Sequence, residues 1–141
     1  MRLFLDANVI FSAAHNPQGR SRALFVLQRQ GRCDLTASAH ALEEARRNIA
    51  LKYPSRTADL DALARELLMV PEPEVKAVAK AEELGLPRDD APILAAAIAS
   101  VADILVTGDR THFGRFYRKR TDGVEVLPPA EILARLLAKA S

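Results

Sequence analysis

Cysteine is almost absent: Cys33 stands alone in 141 residues. No disulfide can therefore form within the chain, and a reducing compartment suits it. Long apolar runs are missing as well. No stretch approaches the ~20 residues that span a bilayer, and no charged leader with a cleavage site precedes the first strand. The sequence thus predicts a cytoplasmic protein without membrane attachment. Internal repeats, low-complexity tracts and linkers are lacking. With 49% hydrophobic and 27% charged residues, the composition is that of one globular domain, expected over residues 1–141. Neither sign of charge dominates: 20 Lys and Arg against 18 Asp and Glu leave a net +2, too small by itself to argue for a polyanionic partner. Histidine is sparse, and His15, His40 and His112 are too dispersed to suggest a zinc site. Ser12, Ser21 and Cys33 have no base beside them in the sequence, which gives no support to a side-chain nucleophile.

What is present is an alternation of short apolar runs with helical periodicity. Strands are expected over residues 2–6, 33–37, 103–107 and 123–127, with a brief one at 69–71 cut short by Pro71 and Pro73. Helices are expected over 7–14, 21–30 (closed by Gly31), from an N-cap at Ser38 to about 51, and over 56–68, 74–84, 90–101 and 129–139. The helix over 90–101 carries Ile93, Leu94, Ala97, Ile98 and Val101 with alanines between them, as expected of a helix packed closely on a sheet. This alternation predicts an α/β fold, a three-layer α/β/α sandwich around a mostly parallel sheet. The order of the strands is not readable from the pattern.

Two strands stop abruptly at an acid: Leu3-Phe4-Leu5 at Asp6, and Ile104-Leu105-Val106-Thr107-Gly108 at Asp109. Asp89-Asp90 opens a helix at Pro92, and Glu43-Glu44 lies near the start of another. Ligands of open parallel sheets bind beyond the carboxyl ends of the strands. Carboxylates converging there repel one another unless a cation joins them. Each acid also has an ordinary role. Asp6 and Asp90 are good helix caps, Asp109 is a good turn residue, and Glu43 is satisfied by Arg46 and Arg47 one turn on. Glu44 has fewer charged neighbours and is the preferred candidate, with Glu43 as its alternative. Asp90 lies closer to its helix than Asp89, which is left as an outer residue or a solvated charge. Asn8 and Thr107 supply short polar groups at the same sheet edge.

These blocks together carry a resemblance. Leu5-Asp6-Ala7-Asn8-Val9-Ile10, Leu42-Glu43-Glu44-Ala45-Arg46-Arg47-Asn48, Asp90-Ala91-Pro92-Ile93-Leu94-Ala95-Ala96-Ala97 and Leu105-Val106-Thr107-Gly108-Asp109-Arg110 resemble the PIN-domain family of metal-dependent nucleases, which includes the VapC-type toxins. The similarity runs from Arg2 to about Leu127. It implies that Asp6, Glu44, Asp90 and Asp109 form the acidic quartet, with Asn8 and Thr107 as polar companions and Glu43 and Asp89 next to it. It further implies Mg²⁺ or Mn²⁺ held by Asp6, Asp90 and Asp109, an RNA substrate cut at a phosphodiester by an activated water, a protein antitoxin and a homodimer.

The segment after Asp109 interleaves Arg110, Arg115, Arg118, Lys119 and Arg120 with His112, Phe113, Phe116 and Tyr117. Arg110 and Arg115 are the candidates for phosphate contact. The aromatics are read first as core residues, with base stacking second. Two other functions stay open on sequence alone: a PIN-like module that binds RNA or protein without cutting, and a receiver-like phospho-accepting domain.

Overall fold

The structure is a computed structural model describing residues 1–139; the single domain expected over 1–141 runs two residues past that span. Six strands form one sheet: β1 Arg2–Leu5, β2 Asp34–Ser38, β3 Leu68–Val70, β4 Ile104–Val106, β5 Arg120–Thr121 and β6 Val124–Leu127. Their order is β3-β2-β1-β4-β6-β5. Every pairing is parallel except that of β5 with β6. The helices are α1 Ala7–His15, α2 Arg20–Arg29, α3 Ala39–Lys52, α4 Thr57–Ala64, α5 Val75–Glu83, α6 Ala91–Ala99, α7 Arg110–Phe113 and α8 Pro129–Ala138. Helix α1 contacts α2, α3 and α4, α3 contacts α4 and α8 packs on α2, while α5 packs on α6. Right-handed crossovers put these two sets on opposite faces of the sheet, giving the three-layer sandwich. No helix among the described residues is long and apolar enough to cross a membrane.

The chain lays β1, β2 and β3 outward in one direction, then returns to place β4 on the other side of β1. That reversal is the topological switch point, where open α/β sheets leave a crevice at the strands' carboxyl ends. Asp6 and Thr107 follow the two strands that flank it. Leu3, Phe4, Leu5, Leu35, Leu105 and Val106 are fully buried, so the strands at the crevice are anchored in the core.

Local signals explain most of the element ends. The Ser38 hydroxyl accepts the Ala41 N–H at 3.3 Å and caps α3. At the end of α2, Arg32 N–H donates to the Leu27 carbonyl and Gly31 N–H to that of Gln28. This Schellman closure needs the left-handed φ of +75° at Gly31. The same closure ends α6, with Ala102 N–H on Ala97 and Val101 N–H on Ile98, but there Val101 takes the left-handed position at φ +56°. The sequence places Val101 on the buried face of α6; instead it is 76% exposed, because the helix has already closed. A β-branched residue is strained at positive φ by about 1–2 kcal/mol. Val101→Gly is therefore expected to raise stability by about 1 kcal/mol in urea unfolding, and an unchanged or lower midpoint would contradict the strain.

Three expectations need correction. The helix expected over 56–68 is a 3₁₀ turn, Pro54–Arg56, followed by α4, which stops at Ala64. Leu68 instead pairs with Thr36 in the ladder of β3 with β2. The strand expected from Gly123 starts at Val124. Asp122 and Gly123 have φ of +47° and +87° and form the two-residue turn of a hairpin that adds β5 as an antiparallel edge. Finally, the basic segment holds a short helix, α7, absent from the sequence-based elements.

Candidate metal centre

Asp6 leaves β1 as the N-cap of α1. Its Oδ1 accepts the Ala7 N–H at 2.7 Å. Its Oδ2 accepts the Thr107 hydroxyl at 2.8 Å and the Asn8 amide at 3.0 Å. Asn8 Oδ1 in turn accepts the Gly108 N–H at 2.8 Å, and Thr107 Oγ1 accepts the Asp109 N–H at 3.1 Å. The ends of β1 and β4 are thus stitched together by side chains, and Asp6 (2% exposed) and Thr107 (fully buried) cannot drift. Tyr117 adds a hydrogen bond from its hydroxyl to the Thr107 carbonyl at 2.8 Å.

Asp109 caps α7, its Oδ1 accepting the His112 N–H at 3.1 Å. Asp90 stands at the N-cap position of α6, yet its side chain makes no capping bond. The helix cap expected of Asp6 and Asp90 therefore holds for Asp6 and fails for Asp90, while Asp109, expected as a turn residue, caps a short helix. Asp90 Oδ2 instead lies 3.0 Å from His112 Nδ1, which is also 2.8 Å from Asp109 Oδ2. Donor atoms of Asp90, Asp109 and His112 all lie within 4.8 Å of one another. His112 is the residue the sequence missed. In the sequence it looks as isolated as His15 and His40, yet His15 stacks on Tyr53 at 4.6 Å and His40 meets the Asp89 carbonyl at 3.0 Å. The available signal was the i,i+3 spacing of Asp109 and His112, one helical turn.

The electrostatics bind these residues into one unit. Burial is the main force raising the Asp6 carboxyl from 3.8 to about 6; hydrogen bonds from Thr107 and Ala7 oppose it, and the charges of Asp90 and Glu44 add to it. Asp90 is raised too, first by burial, with Asp109, Glu44 and Asp89 adding to the effect and His112 opposing it. The hydrogen bond to Asp109 holds His112 above its ordinary value. Glu44, half-buried on α3, is thus within electrostatic reach of both Asp6 and Asp90. Glu43 is exposed and lines a shallow groove with His40, Arg47 and Glu72. Asp89 is exposed and offers its carbonyl to His40.

Of the basic candidates, Arg110 is exposed and forms no ion pair among the described residues. Arg115 is committed elsewhere, donating to the Leu84 carbonyl at 2.7 Å with its guanidinium 4.7 Å from the Phe116 ring. Phe113 and Phe116 are buried with ring centroids 6.2 Å apart. They serve the core, as the first reading of the aromatics expected.

The donor set fits a small divalent cation. Carboxylate oxygens are hard ligands, and neighbouring ligands of an octahedral ion at about 2.1 Å stand about 3 Å apart. The spacings around His112 Nδ1 match that separation. Positive charge at this point would also offset the carboxylate repulsion that adds to burial in raising Asp6 and Asp90.

A family model described as PIN domain matches residues 2–111. Among curated proteins, no relative matches the sequence. Solved structures do. PAE2754 from Pyrobaculum aerophilum superposes with a TM-score of 0.72 at 18% identity, over 98% of this chain and 96% of that one. VapBC2 from Rickettsia felis, bound to a DNA fragment from their promoter, gives 0.67 at 19% identity, over 91% and 98%. FitAcB from Neisseria gonorrhoeae gives 0.56 at 24% identity, also over 91% and 98%. At these identities the likeness is one of fold. The family match covers more than half of the sequence, and the chain belongs to the PIN-domain family.

Proposed function

We propose that the chain is a Mg²⁺- or Mn²⁺-dependent endoribonuclease. The observation that carries this reading is the Asp90 carboxylate, which leaves its helix uncapped and converges with Asp109 beside the clamped Asp6. Asp6, Asp90 and Asp109 would hold the cation, with His112 Nδ1 reaching the same point. When bound, the cation supplies Lewis acidity that lowers the pKa of a water and offsets charge on the phosphodiester. Glu44, facing the same cluster, would orient that water and accept its proton. Asn8 and Thr107 hold Asp6 and the Gly108-Asp109 backbone in register, so these carboxylates need no reorganisation during the reaction. Arg110 would meet the substrate's phosphates. Arg115, committed to the Leu84 carbonyl, is not proposed for that role.

RNA is preferred over DNA on the family resemblance. An antitoxin partner, a homodimer and a cytoplasmic location belong to the same proposal; VapBC2 and FitAcB, which share the fold, support the first of these. A receiver-like function is not retained, given the family match. The test is cleavage of fluorescent single-stranded RNA and DNA oligonucleotides with Mn²⁺, Mg²⁺ or EDTA. RNA cutting that needs the metal is expected. Cutting that persists in EDTA would overturn the metal dependence. No cutting of any oligonucleotide, with tight binding retained, would favour the binding-only alternative.

A further inference from the structure

A groove of about 410 Å³ leaves the acidic cluster between Asn8, Gly108 and Asp109 on one side and Ser12, Ser21 and Pro129 on the other. It continues past Ser12 and Ser21 into a wider groove of about 660 Å³, reaching Arg20, Arg110 and the start of α8. Four features of its wall are unsatisfied. Gly19 caps α2 with no side chain, and the N–H groups of Arg20, Ser21 and Arg22 have no backbone acceptor among the described residues. Ser21 is only 4% exposed and lines both parts of the groove, and its hydroxyl has no hydrogen-bond partner among the described residues. Arg20 and Arg110 are exposed and form no ion pair among the described residues. Glu131, the one acid lining the wide end among the described residues, is paired with Arg118. Arg22, by contrast, is turned away to the Ala13 and Ala14 carbonyls.

A helix N-terminus favours anions, through its free N–H groups and its partial positive charge. Ser21 is almost wholly buried as a residue, yet its unpartnered hydroxyl oxygen keeps contact with the groove it lines, so it can donate to an acceptor placed there. We propose that this groove is a second phosphate subsite, holding a non-scissile phosphate of a single-stranded polynucleotide whose neighbouring phosphate lies at the acidic cluster. The donors are the Ser21 hydroxyl, the first N–H groups of α2 and the Arg20 guanidinium, with Arg110 between the two phosphates. A phosphate, rich in acceptor oxygens, matches this donor set better than a carboxylate does. A polynucleotide also repeats that group at every nucleotide, so one strand can occupy both places. The polynucleotide assignment rests on the nuclease reading; the anion site itself does not.

Two measurements in EDTA test it. Titration of the ¹⁵N-labelled protein with inorganic phosphate is expected to shift the Ser21 and Arg22 amides saturably. Fluorescence anisotropy with fluorescein-labelled oligo(U) RNA should show Ser21→Ala weakening binding about tenfold, as expected for one lost hydrogen bond to a charged group. Arg20→Ala should reduce the slope of log affinity against log salt by about 0.7, one phosphate contact on a single strand. Lys76→Ala, on α5 away from the groove, should change nothing. Unshifted α2 amides, wild-type binding by both groove variants, or equal displacement by an oligoglutamate peptide of matched charge would overturn the inference. RNA cleavage without the α2 shifts would remove this subsite and leave the nuclease standing. The shifts without any cleavage would do the reverse.

Discussion

Asp109→Asn is expected to lower metal-dependent RNA cleavage by about 10²–10³-fold, the range for removing one preorganised electrostatic group, while leaving the fold intact. The fold should survive because Asn caps helices as well as Asp does, so the bond from His112 N–H to the side chain at position 109 can persist. What is lost is the negative charge beside Asp90. Asp109 is a cleaner probe than Asp6. An Asn at position 6 would present an NH₂ to the Thr107 hydroxyl and the Asn8 amide, both of which donate to Asp6 Oδ2. One of those donors would lose its acceptor, at about 1–3 kcal/mol, and a loss of activity could then be blamed on folding. Full activity of Asp109→Asn, with wild-type circular dichroism and Tm, would remove Asp109 from the site.

Adding Mn²⁺ should stabilise the protein and reverse the pH dependence of its stability. Asp6 titrates at about 6 in the folded chain against an ordinary 3.8, so the folded state holds this proton more tightly than the unfolded one. Stability from this group falls as pH rises between these values, and the ionised form carries its full cost, about 3 kcal/mol, above pH 6. Glu66 and Glu125 pull the other way, held below their ordinary 4.5 chiefly by hydrogen bonds from Arg29 and Arg135. Their contribution is complete above that value and is lost only in more acidic solution. In EDTA, stability should therefore rise by about 1 kcal/mol from pH 7 to pH 5, or about 4 °C in Tm for a chain of this length. At 100 times its dissociation constant, Mn²⁺ should add about 2.7 kcal/mol. It should also make pH 7 the more stable condition, because protons then compete with it. Scanning calorimetry at both pH values, with Mn²⁺ and with EDTA, checks the four cases. A metal-free protein more stable at pH 7 than at pH 5 would mean that Asp6 is not the burdened carboxylate described above.

The sequence made the crevice legible because acids ending apolar strands can be recognised locally. Asp6 and Asp109 each follow a short β-run, and a parallel sheet must bring such ends to one edge. It could not show that β1 and β4 are neighbours, since strand order follows from which surfaces pack. Nor could it show that Asp90 leaves its helix uncapped, because acid, proline and helix read the same with or without the cap. His112 escaped because its partners lie on α6 and α7, one of them far off in sequence. Ser21 reads as an ordinary first-turn residue until α1 and α8 close the groove over it. One further feature is legible: Asp122-Gly123 is a hairpin signal from its composition alone. The Val101–Asp103 stretch instead hides a helix end, because valine stands where glycine is usual. Local chemistry was readable to within a residue or two; long-range convergence was not.

The most direct measurement is a titration of Mn²⁺ into EDTA-stripped protein, following the loss of the free aqua-ion signal by electron paramagnetic resonance, for the wild type and Asp109→Asn side by side. Saturable binding by the wild type, weakened at least about tenfold in the variant, is expected if Asp6, Asp90 and Asp109 hold one cation. No binding by the wild type at millimolar Mn²⁺, or equal binding by both proteins, would contradict it.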